Sequence, residues 1–96
     1  MAADEWSVVL RASAERELSE LPRAAQEEVF EILHLLREDS LPEGAVALEH
    51  YNNVYRLRFA SGNFRLVYRV DQRHRSIEVF RIGPRSRVYR GFRSPG

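Results

Sequence analysis

The 96-residue chain contains no cysteine and no lysine, and only one methionine and one tryptophan. The absence of cysteine excludes a disulfide framework and a thiolate metal site. No apolar run approaches the roughly 20 residues that a membrane-spanning helix requires. The N-terminal residues are acidic and lack the apolar segment of a secretory signal peptide. We therefore expect a cytoplasmic protein that makes no contact with a membrane.

Length and hydrophobic content predict a single domain over residues 1–96. A hydrophobic fraction of 44% is sufficient for one two-layer core and argues against disorder. The sequence contains no internal repeat and no low-complexity tract. Residues 91–96 are predicted to form a frayed tail.

Charge is divided unevenly between the two halves of the chain. Residues 1–48 carry four arginines against eleven carboxylates, a net charge of −7. Residues 49–96 carry eleven arginines against three carboxylates, a net charge of +8, so the total of +1 conceals a strong asymmetry. A GC-rich genome explains arginine in place of lysine, but it does not explain this clustering. A dense arginine field on a small domain favours a polyanionic partner, RNA or DNA.

The first half of the chain predicts a short strand followed by two helices. Residues 6–10 are rich in β-branched and aromatic side chains and predict the strand. Ser13 is a candidate cap for the first helix, and Pro22 suits the first turn of the second. The second helix carries one apolar stripe at the spacing i, i+3, i+4 and i+7, formed by Val29, Ile32, Leu33 and Leu36. Residues 44–53 predict no element.

The second half switches to a period of two, which predicts three antiparallel strands over residues 54–59, 63–70 and 77–82. A two-residue turn at positions 61 and 62 sets a register that aligns Phe59 with Phe64, Leu57 with Leu66, and Tyr55 with Tyr68. The same register puts Arg58 opposite Arg65, with Arg56 nearby. Like charges opposite each other are unfavourable, so these arginines are better explained by an anion site than by the needs of the fold.

The third of these strands has two possible orientations. If Phe80 and Ile82 face the core, Arg81 joins the basic face of the sheet. If Ile77 and Val79 face the core instead, Arg81 conflicts with it, and we prefer the first arrangement. The elements together predict an α+β fold: a short N-terminal strand, then a two-helix hairpin packed on a twisted antiparallel sheet. The C-terminal part of that sheet is a three-stranded meander.

The leading candidate site combines Arg56, Arg58 and Arg65 on the sheet with Arg85 and Tyr89 just beyond it. The planar guanidinium group suits bidentate contact with phosphate, and a tyrosine ring can stack on a base. A solvated basic face that binds an acidic protein explains the same residue types equally well. The sequence shows no phosphate-binding glycine loop and no Ser/His/Asp signature.

The three histidines do not indicate a metal site or a paired-histidine ribonuclease. His34, His50 and His74 are not spaced as metal ligands, and no cysteine or carboxylate cluster supports them. We expect them to be solvated surface residues, and we expect the protein to need no metal and no cofactor.

Three segments of the chain resemble the RelE/ParE toxin superfamily. They are residues 14–22 (AERELSELP), residues 55–68 (YRLRF…NFRLVY) and residues 81–89 (RIGPRSRVY). The resemblance implies a toxin of a type II toxin–antitoxin system. Members of the RelE branch cut mRNA in the ribosomal A site, where the 2′-hydroxyl attacks the adjacent phosphate. Members of the ParE branch keep the fold, poison DNA gyrase and generally lack an arginine and tyrosine at the C-terminal end, so the presence of both here favours the nuclease.

The resemblance also implies roles for individual residues. Arg65 corresponds to the arginine that clamps the scissile phosphate, Arg85 to the basic residue near the leaving 5′-oxygen, and Tyr89 to a tyrosine that stacks on or activates the nucleotide. The position of Arg58 is often a lysine that is a candidate general base. Arginine is a poor base, so we assign Arg58 to charge stabilisation and the base role to Tyr89. The predicted RNA-binding residues are Arg56, Arg81 and Arg87.

The partners that the resemblance implies are a cognate acidic antitoxin encoded nearby and mRNA in the ribosomal A site. Two alternatives remain open at this stage. One is a gyrase inhibitor without nuclease activity, and the other is a non-toxic module that only binds an antitoxin-type protein.

Overall fold

The computed structural model describes residues 5–89, which form one strand, two helices and four further strands in that order. The elements are β1 (Ser7–Leu10), α1 (Ala12–Ser19), α2 (Arg23–Glu38), β2 (Val46–Ala47), β3 (Val54–Phe59), β4 (Phe64–Asp71) and β5 (Ser76–Pro84). The predicted frayed tail at 91–96 lies outside the described residues. Neither of the described helices has the length and apolar content needed to cross a bilayer.

All five strands belong to one sheet in the order β1-β5-β4-β3-β2. The predicted α+β class and the C-terminal meander are confirmed, because β3, β4 and β5 pair in antiparallel succession. Strand β1 runs parallel to β5, so the sheet is mixed and not wholly antiparallel as predicted. A parallel pair requires a long crossover, and here the intervening chain includes both helices.

The helices begin and end close to the predicted positions, but their caps differ. Arg11 occupies the N-cap of α1 without a side-chain hydrogen bond, so the prediction that Ser13 caps this helix is wrong. The Ser13 hydroxyl instead donates to the Phe80 carbonyl at 3.1 Å, which ties α1 to β5. Pro22 is the N-cap of α2. The predicted stripe is confirmed, since Val29, Leu36, Ile32 and Leu33 all pack into the core beneath α2.

The register of the meander is the predicted one. Arg58 pairs with Arg65, and Phe59 pairs with Phe64, whose ring centroids are 5.6 Å apart. The connection between β3 and β4 spans residues 60–63, and three consecutive residues in it, Ala60, Ser61 and Gly62, have positive φ. Glycine adopts this left-handed backbone without a steric cost, and the two preceding residues adopt it despite their Cβ atoms.

Strand β5 contains a β-bulge that the sequence did not predict. Val67 of β4 pairs with Arg81, while the next residue, Tyr68, pairs with Val79, so Phe80 is the extra residue. An extra residue shifts the alternation of the strand by one position. Odd-numbered residues therefore face the helices before the bulge, and even-numbered residues face them after it.

This phase change explains why neither predicted orientation of β5 is fully correct. Ile77 and Val79 face the helices, as the rejected arrangement required, and Ile82 also faces them, as the preferred arrangement required. Phe80 belongs to a separate cluster. Arg81 lies opposite Val67 at the bulge, so its charge is not forced into either apolar cluster.

The sheet buries apolar side chains on both of its faces. The main core lies between the helices and the sheet. A second, smaller cluster lies on the opposite face of the sheet, with Leu48 and Tyr51 packed against it, and is formed by Val54, Val67, Phe80 and Val88. This second cluster fixes the C-terminal segment after β5 to the sheet, because Val88 is only 1% exposed.

The segment that the sequence left unassigned, residues 44–53, forms the short edge strand β2 and a turn that leads into β3. His50 and Asn53 have φ angles of 72° and 62°, so the backbone is left-handed at two non-glycine positions. The turn is tied to the sheet at both sides: the Leu48 amide donates to the Val54 carbonyl at 2.9 Å, and the Val70 amide donates to the Asn53 carbonyl at 2.8 Å.

Tyr68 lies at the centre of the main core, and the loss of its hydroxyl proton is coupled to unfolding. Its hydroxyl donates to the Ser40 carbonyl at 2.8 Å, and burial raises the pKa of Tyr68, with smaller contributions from Tyr55 and Asp39. Replacing Tyr68 by phenylalanine is expected to lower the free energy of unfolding at pH 7 by about 1–2 kcal/mol, because the Ser40 carbonyl loses its donor.

The cost of this substitution should shrink at high pH. In the unfolded chain Tyr68 ionises near the usual tyrosine value of 10.0, whereas the folded protein keeps it neutral. The contribution of Tyr68 to the free energy of unfolding is therefore fully present below pH 10. It decreases as the pH rises above 10, by up to about 1.4 kcal/mol per pH unit. Urea denaturation of both proteins from pH 7 to pH 11 measures the difference, and a constant difference across this range would contradict the coupling.

Candidate phosphate-binding site

Strands β3 and β4 present three arginines on the face of the sheet that points away from the helices. Leu57 and Phe59 pack into the main core, so the alternating residues Arg56 and Arg58 point to the other side. Arg65 of β4 lies directly opposite Arg58 and shares that face. Strand alternation alone therefore brings three guanidinium groups onto one surface.

Arg65 is held more firmly than its neighbours. The residue is only 6% exposed, and its Nη1 donates to the Gly62 carbonyl at 2.7 Å. That carbonyl belongs to the left-handed turn between β3 and β4. The turn thus fixes the direction of the Arg65 guanidinium, which cannot release its proton and must remain charged.

The electrostatics around Arg65 show which other side chains converge on it. Burial lowers the pKa of Arg65 most, and the neighbouring charge of Arg58 lowers it further, followed by those of Arg56 and Arg85. Tyr89 acts in the opposite direction and raises this pKa. The structure therefore brings together the five residues that the sequence singled out, which we call the arginine cluster: Arg56, Arg58, Arg65, Arg85 and Tyr89.

The C-terminal part of the cluster is positioned by backbone hydrogen bonds and by the second apolar cluster. The Arg85 amide donates to the Asn63 carbonyl at 3.0 Å, which attaches the segment after β5 to the β3–β4 turn. The Val88 amide donates to the Pro84 carbonyl at 2.9 Å, and the Val88 side chain is buried. Tyr89 follows directly and remains 37% exposed, available to a ligand.

The cluster carries an excess of positive charge. Within residues 5–89, none of its four arginines makes an ion pair with a carboxylate, whereas Arg11, Arg23 and Arg37 elsewhere in the fold each do. Like charges held this close repel one another, and an anion bound between them relieves the repulsion. The arrangement is suited to a group with several anionic oxygens, such as a phosphodiester.

Arg81 does not join this cluster. Its Nε lies 3.0 Å from Glu17 Oε2, and Glu17 Oε1 accepts a hydrogen bond from the Ile82 amide at 2.8 Å. The expectation that Arg81 joins the basic face of the sheet is therefore corrected: its guanidinium pairs with Glu17 of α1. Arg87 is exposed and lines a cleft of about 320 Å³ together with Glu17 and Arg81.

The structure shows two features that sequence reasoning missed. The first is Glu17, which the sequence presents only as an acidic residue near a helix start. The second is a cleft of about 400 Å³ beside the arginine cluster, lined by Leu48, Glu49, Tyr51, Arg56 and Tyr89. Three of these residues belong to positions 44–53, the segment for which the sequence predicted no element. That gap in the prediction was the only sequence signal for the cleft.

Two of the three histidines, His34 and His74, contact carboxylates outside the arginine cluster. His34 approaches Glu38 at 3.7 Å on α2, and His74 Nδ1 lies 2.9 Å from Asp71 in the β4–β5 turn, where hydrogen bonds from His74 lower the pKa of Asp71. Across residues 5–89, no group of three or more His, Cys, Asp or Glu side chains is arranged to hold a metal ion.

Residues 8–89 match the family of ParE toxins of type II toxin–antitoxin systems, parDE. The chain therefore belongs to this family, within the RelE/ParE superfamily that the sequence resembled. No curated protein sequence matches the chain.

Solved structures of RelE proteins share the fold. A chain of the toxin–antitoxin complex RelBE2 from Mycobacterium tuberculosis is 25% identical with a TM-score of 0.72, and the match covers 84% of this chain and 99% of that one. The isolated RelE toxin of E. coli is 24% identical with a TM-score of 0.73, covering 88% and 90%. A chain of the RelE–RelB complex from Pyrococcus horikoshii is 22% identical with a TM-score of 0.71, covering 86% and 98%. The chain thus has a RelE-like fold.

Proposed function

We propose that this toxin is a ribosome-dependent endoribonuclease that cleaves mRNA in the cytoplasm. The observation that carries the proposal is the convergence of Arg56, Arg58, Arg85 and Tyr89 on the buried Arg65. Preplaced cations that stabilise the charge developing on phosphorus supply a large part of the rate enhancement in phosphoryl transfer. A site without histidine can therefore be active in this chemistry.

In the proposed reaction, the 2′-oxygen of one nucleotide attacks the adjacent phosphorus. A new bond forms between the 2′-oxygen and phosphorus while the bond to the 5′-oxygen breaks. The products are a 2′,3′-cyclic phosphate and a free 5′-hydroxyl group. Arg65 holds the non-bridging oxygens, Arg85 lies near the leaving 5′-oxygen, and Arg56 and Arg58 stabilise the added negative charge.

In this scheme the phenolate form of Tyr89 accepts the proton of the 2′-hydroxyl, and a water molecule donates the proton that the leaving 5′-oxygen takes up. Arg58 occupies the position of a candidate base in related nucleases, but arginine is a poor base, so we assign Arg58 to charge stabilisation. The ribosome contributes by holding the mRNA in the orientation that in-line attack requires. Free RNA is accordingly expected to be a poor substrate.

Primer extension on translated mRNA after expression of the toxin tests the proposal. Discrete cuts inside codons would support it. Intact mRNA combined with DNA damage would instead support inhibition of DNA gyrase, the second candidate function, which the match to the ParE toxin family favours. Expression without growth arrest would contradict both and would favour a non-toxic module that binds an antitoxin-type protein.

The salt dependence of RNA binding measures how many phosphates the cluster contacts. For about 3–4 phosphates on single-stranded RNA, the slope of log K against log salt concentration is expected to be about −2 to −3. Arg65→Ala should reduce this slope by about 0.7, because one phosphate contact is lost. Fluorescence anisotropy with a 2′-O-methylated oligonucleotide gives both slopes, and a flat salt response would contradict the phosphate site.

The proposed protein partner is a cognate acidic antitoxin encoded by a neighbouring gene. The similar structures from M. tuberculosis and P. horikoshii are toxin–antitoxin complexes, which supports this partner. An acidic segment would neutralise the arginine cluster. An apolar groove of about 480 Å³ between the helices, where Phe30 is 58% exposed, would accept the apolar side chains of the same partner.

A further inference from the structure

The cleft beside the arginine cluster has the composition of a nucleobase-binding site. It measures about 400 Å³, which lies within the roughly 300–1,000 Å³ of small-ligand clefts. Its lining combines two tyrosines, one leucine, one arginine and one glutamate. Aromatic rings and a guanidinium plane are the surfaces on which unstacked RNA bases stack.

The walls of this cleft are fixed to the fold. Tyr51 and Leu48 pack against the second apolar cluster, and Val88 of the same cluster immediately precedes Tyr89. Both sides of the cleft therefore rest on one packed base. The left-handed residue His50, between Glu49 and Tyr51, turns the chain at this point. A base that enters the cleft meets a largely preformed surface, so little ordering entropy is lost on binding.

Two residues belong to both the cleft and the arginine cluster. Arg56 and Tyr89 line the cleft, and both act electrostatically on Arg65. The cleft is therefore contiguous with the phosphate-binding site. A nucleotide whose phosphate lies against Arg65 has its own base, or that of its neighbour, beside the cleft.

Glu49 determines which base fits best. It is the only acidic residue in the lining, it is exposed, and its carboxylate makes no ion pair within residues 5–89. An ionised carboxylate only accepts hydrogen bonds, and it has two oxygens side by side. Guanine is the base whose Watson–Crick edge presents two adjacent donors, N1–H and the 2-amino group. Uracil presents a single donor between two acceptors, which a carboxylate repels.

We infer that the cleft formed by Leu48, Glu49, Tyr51, Arg56 and Tyr89 is a guanine-selective subsite of the toxin, in which Glu49 accepts hydrogen bonds from N1–H and the 2-amino group. The inference rests on the proposed RNA-directed function and names the base that the site reads. Arg56 offsets the charge of Glu49 next to the anionic RNA backbone. Tyr51 and Tyr89 supply the stacking surface.

Binding of short oligonucleotides tests the subsite without requiring cleavage. The probes are 2′-O-methylated trinucleotides, in which the attacking hydroxyl is blocked, with one position occupied by guanine, inosine, adenine or uracil. Inosine keeps N1–H and lacks only the 2-amino group. For the wild-type toxin, guanine is expected to bind about tenfold more tightly than inosine, the effect of one hydrogen bond to a charged acceptor.

The variant Glu49→Gln is expected to lose this preference, because its amide group offers one acceptor and one donor in place of two acceptors. Removing a negative charge strengthens binding of every oligonucleotide, so the guanine-to-inosine ratio, not the affinity, is the readout. Glu43→Gln is the matched control, because it removes the same charge from an exposed residue that lies outside the cleft lining. This control should keep the wild-type ratio.

The outcomes separate the inference from the proposed function. A ratio near one in the wild-type protein, or an unchanged ratio in Glu49→Gln, overturns the guanine subsite, even if the toxin cuts mRNA. A tenfold ratio that Glu49→Gln abolishes supports the subsite, even if primer extension finds no cuts. In that second case the cleft binds guanine and the nuclease proposal fails independently.

Discussion

Replacing Arg65 by alanine is expected to reduce mRNA cleavage by roughly 10²–10³-fold, the usual effect of removing one preplaced donor to the charge that develops in a transition state. Arg65 is the only cluster arginine that is both buried and fixed by a hydrogen bond to the β3–β4 turn. Its loss removes the proposed central phosphate contact and leaves the other four side chains of the cluster in place. Primer extension on translated mRNA measures the cleavage, and growth arrest gives a second readout.

Two controls separate chemistry from folding and from net charge. Arg73→Ala removes the same charge from the exposed β4–β5 turn, about 20 Å along the strand from Arg65 at 3.3 Å per residue, and should keep wild-type cleavage. Arg65→Lys keeps the charge but not the bidentate guanidinium fork, so it should recover only part of the activity. Full cleavage by a folded Arg65→Ala protein would end the case for Arg65 as the phosphate clamp.

Replacing Glu17 by alanine is expected to lower the free energy of unfolding by about 2–3 kcal/mol and also to weaken cleavage. Glu17 accepts hydrogen bonds from the Ile82 amide and from Arg81, both on β5. Strand β1 pairs with β5 only as far as Leu10, so beyond this point Glu17 takes the place of a neighbouring strand. Its removal takes away the acceptor of the Ile82 amide and the carboxylate partner of a three-quarters buried guanidinium.

The effect on cleavage follows from the position of Glu17 and Arg81. Arg81 Nη2 also lies 3.5 Å from the Arg87 carbonyl, so Glu17 steadies the segment that carries Arg85 and Tyr89. Glu17→Gln keeps neutral acceptors and should lose about half as much stability. Glu20→Ala is the matched control, because Glu20 lines the same cleft of α1 but makes no side-chain bond within the described residues. Equal urea midpoints for Glu17→Ala and Glu20→Ala would contradict the role of Glu17.

The parts of the fold that depend on local periodicity were predictable from the sequence. The apolar stripe of α2 and the register of β3 with β4 follow from spacings of 3.6 and two residues, and a shift of one residue would have exposed Leu57 and Leu66. The position of the three sheet arginines follows from the same register. The grouping of Arg85 and Tyr89 with these arginines was predicted from residue types and from their position just beyond the sheet, and their electrostatic action on Arg65 agrees with it.

The parts that depend on distant contacts were not predictable. The bulge at Phe80 lets the residues on both of its sides reach the core, and no periodicity indicates an added residue. The alternation with Phe80 and Ile82 assigned Arg81 to the basic face. Its partner Glu17 lies 64 positions earlier in the chain, so no local pattern indicates the pair. The parallel pairing of β1 likewise depends on a strand near the other end of the sequence. The second apolar cluster was missed because a face with alternating arginines reads as solvent-exposed.

The position of β5 between β1 and β4 has a consequence for biosynthesis. During translation, β1 and α1 emerge first but have no sheet partner until residues 76–84 have been made. Pairing over such a long sequence separation is slow to form, and most of the core waits for it. The helical hairpin is therefore incomplete on the nascent chain, and the arginine cluster assembles only after the last strand has left the ribosome.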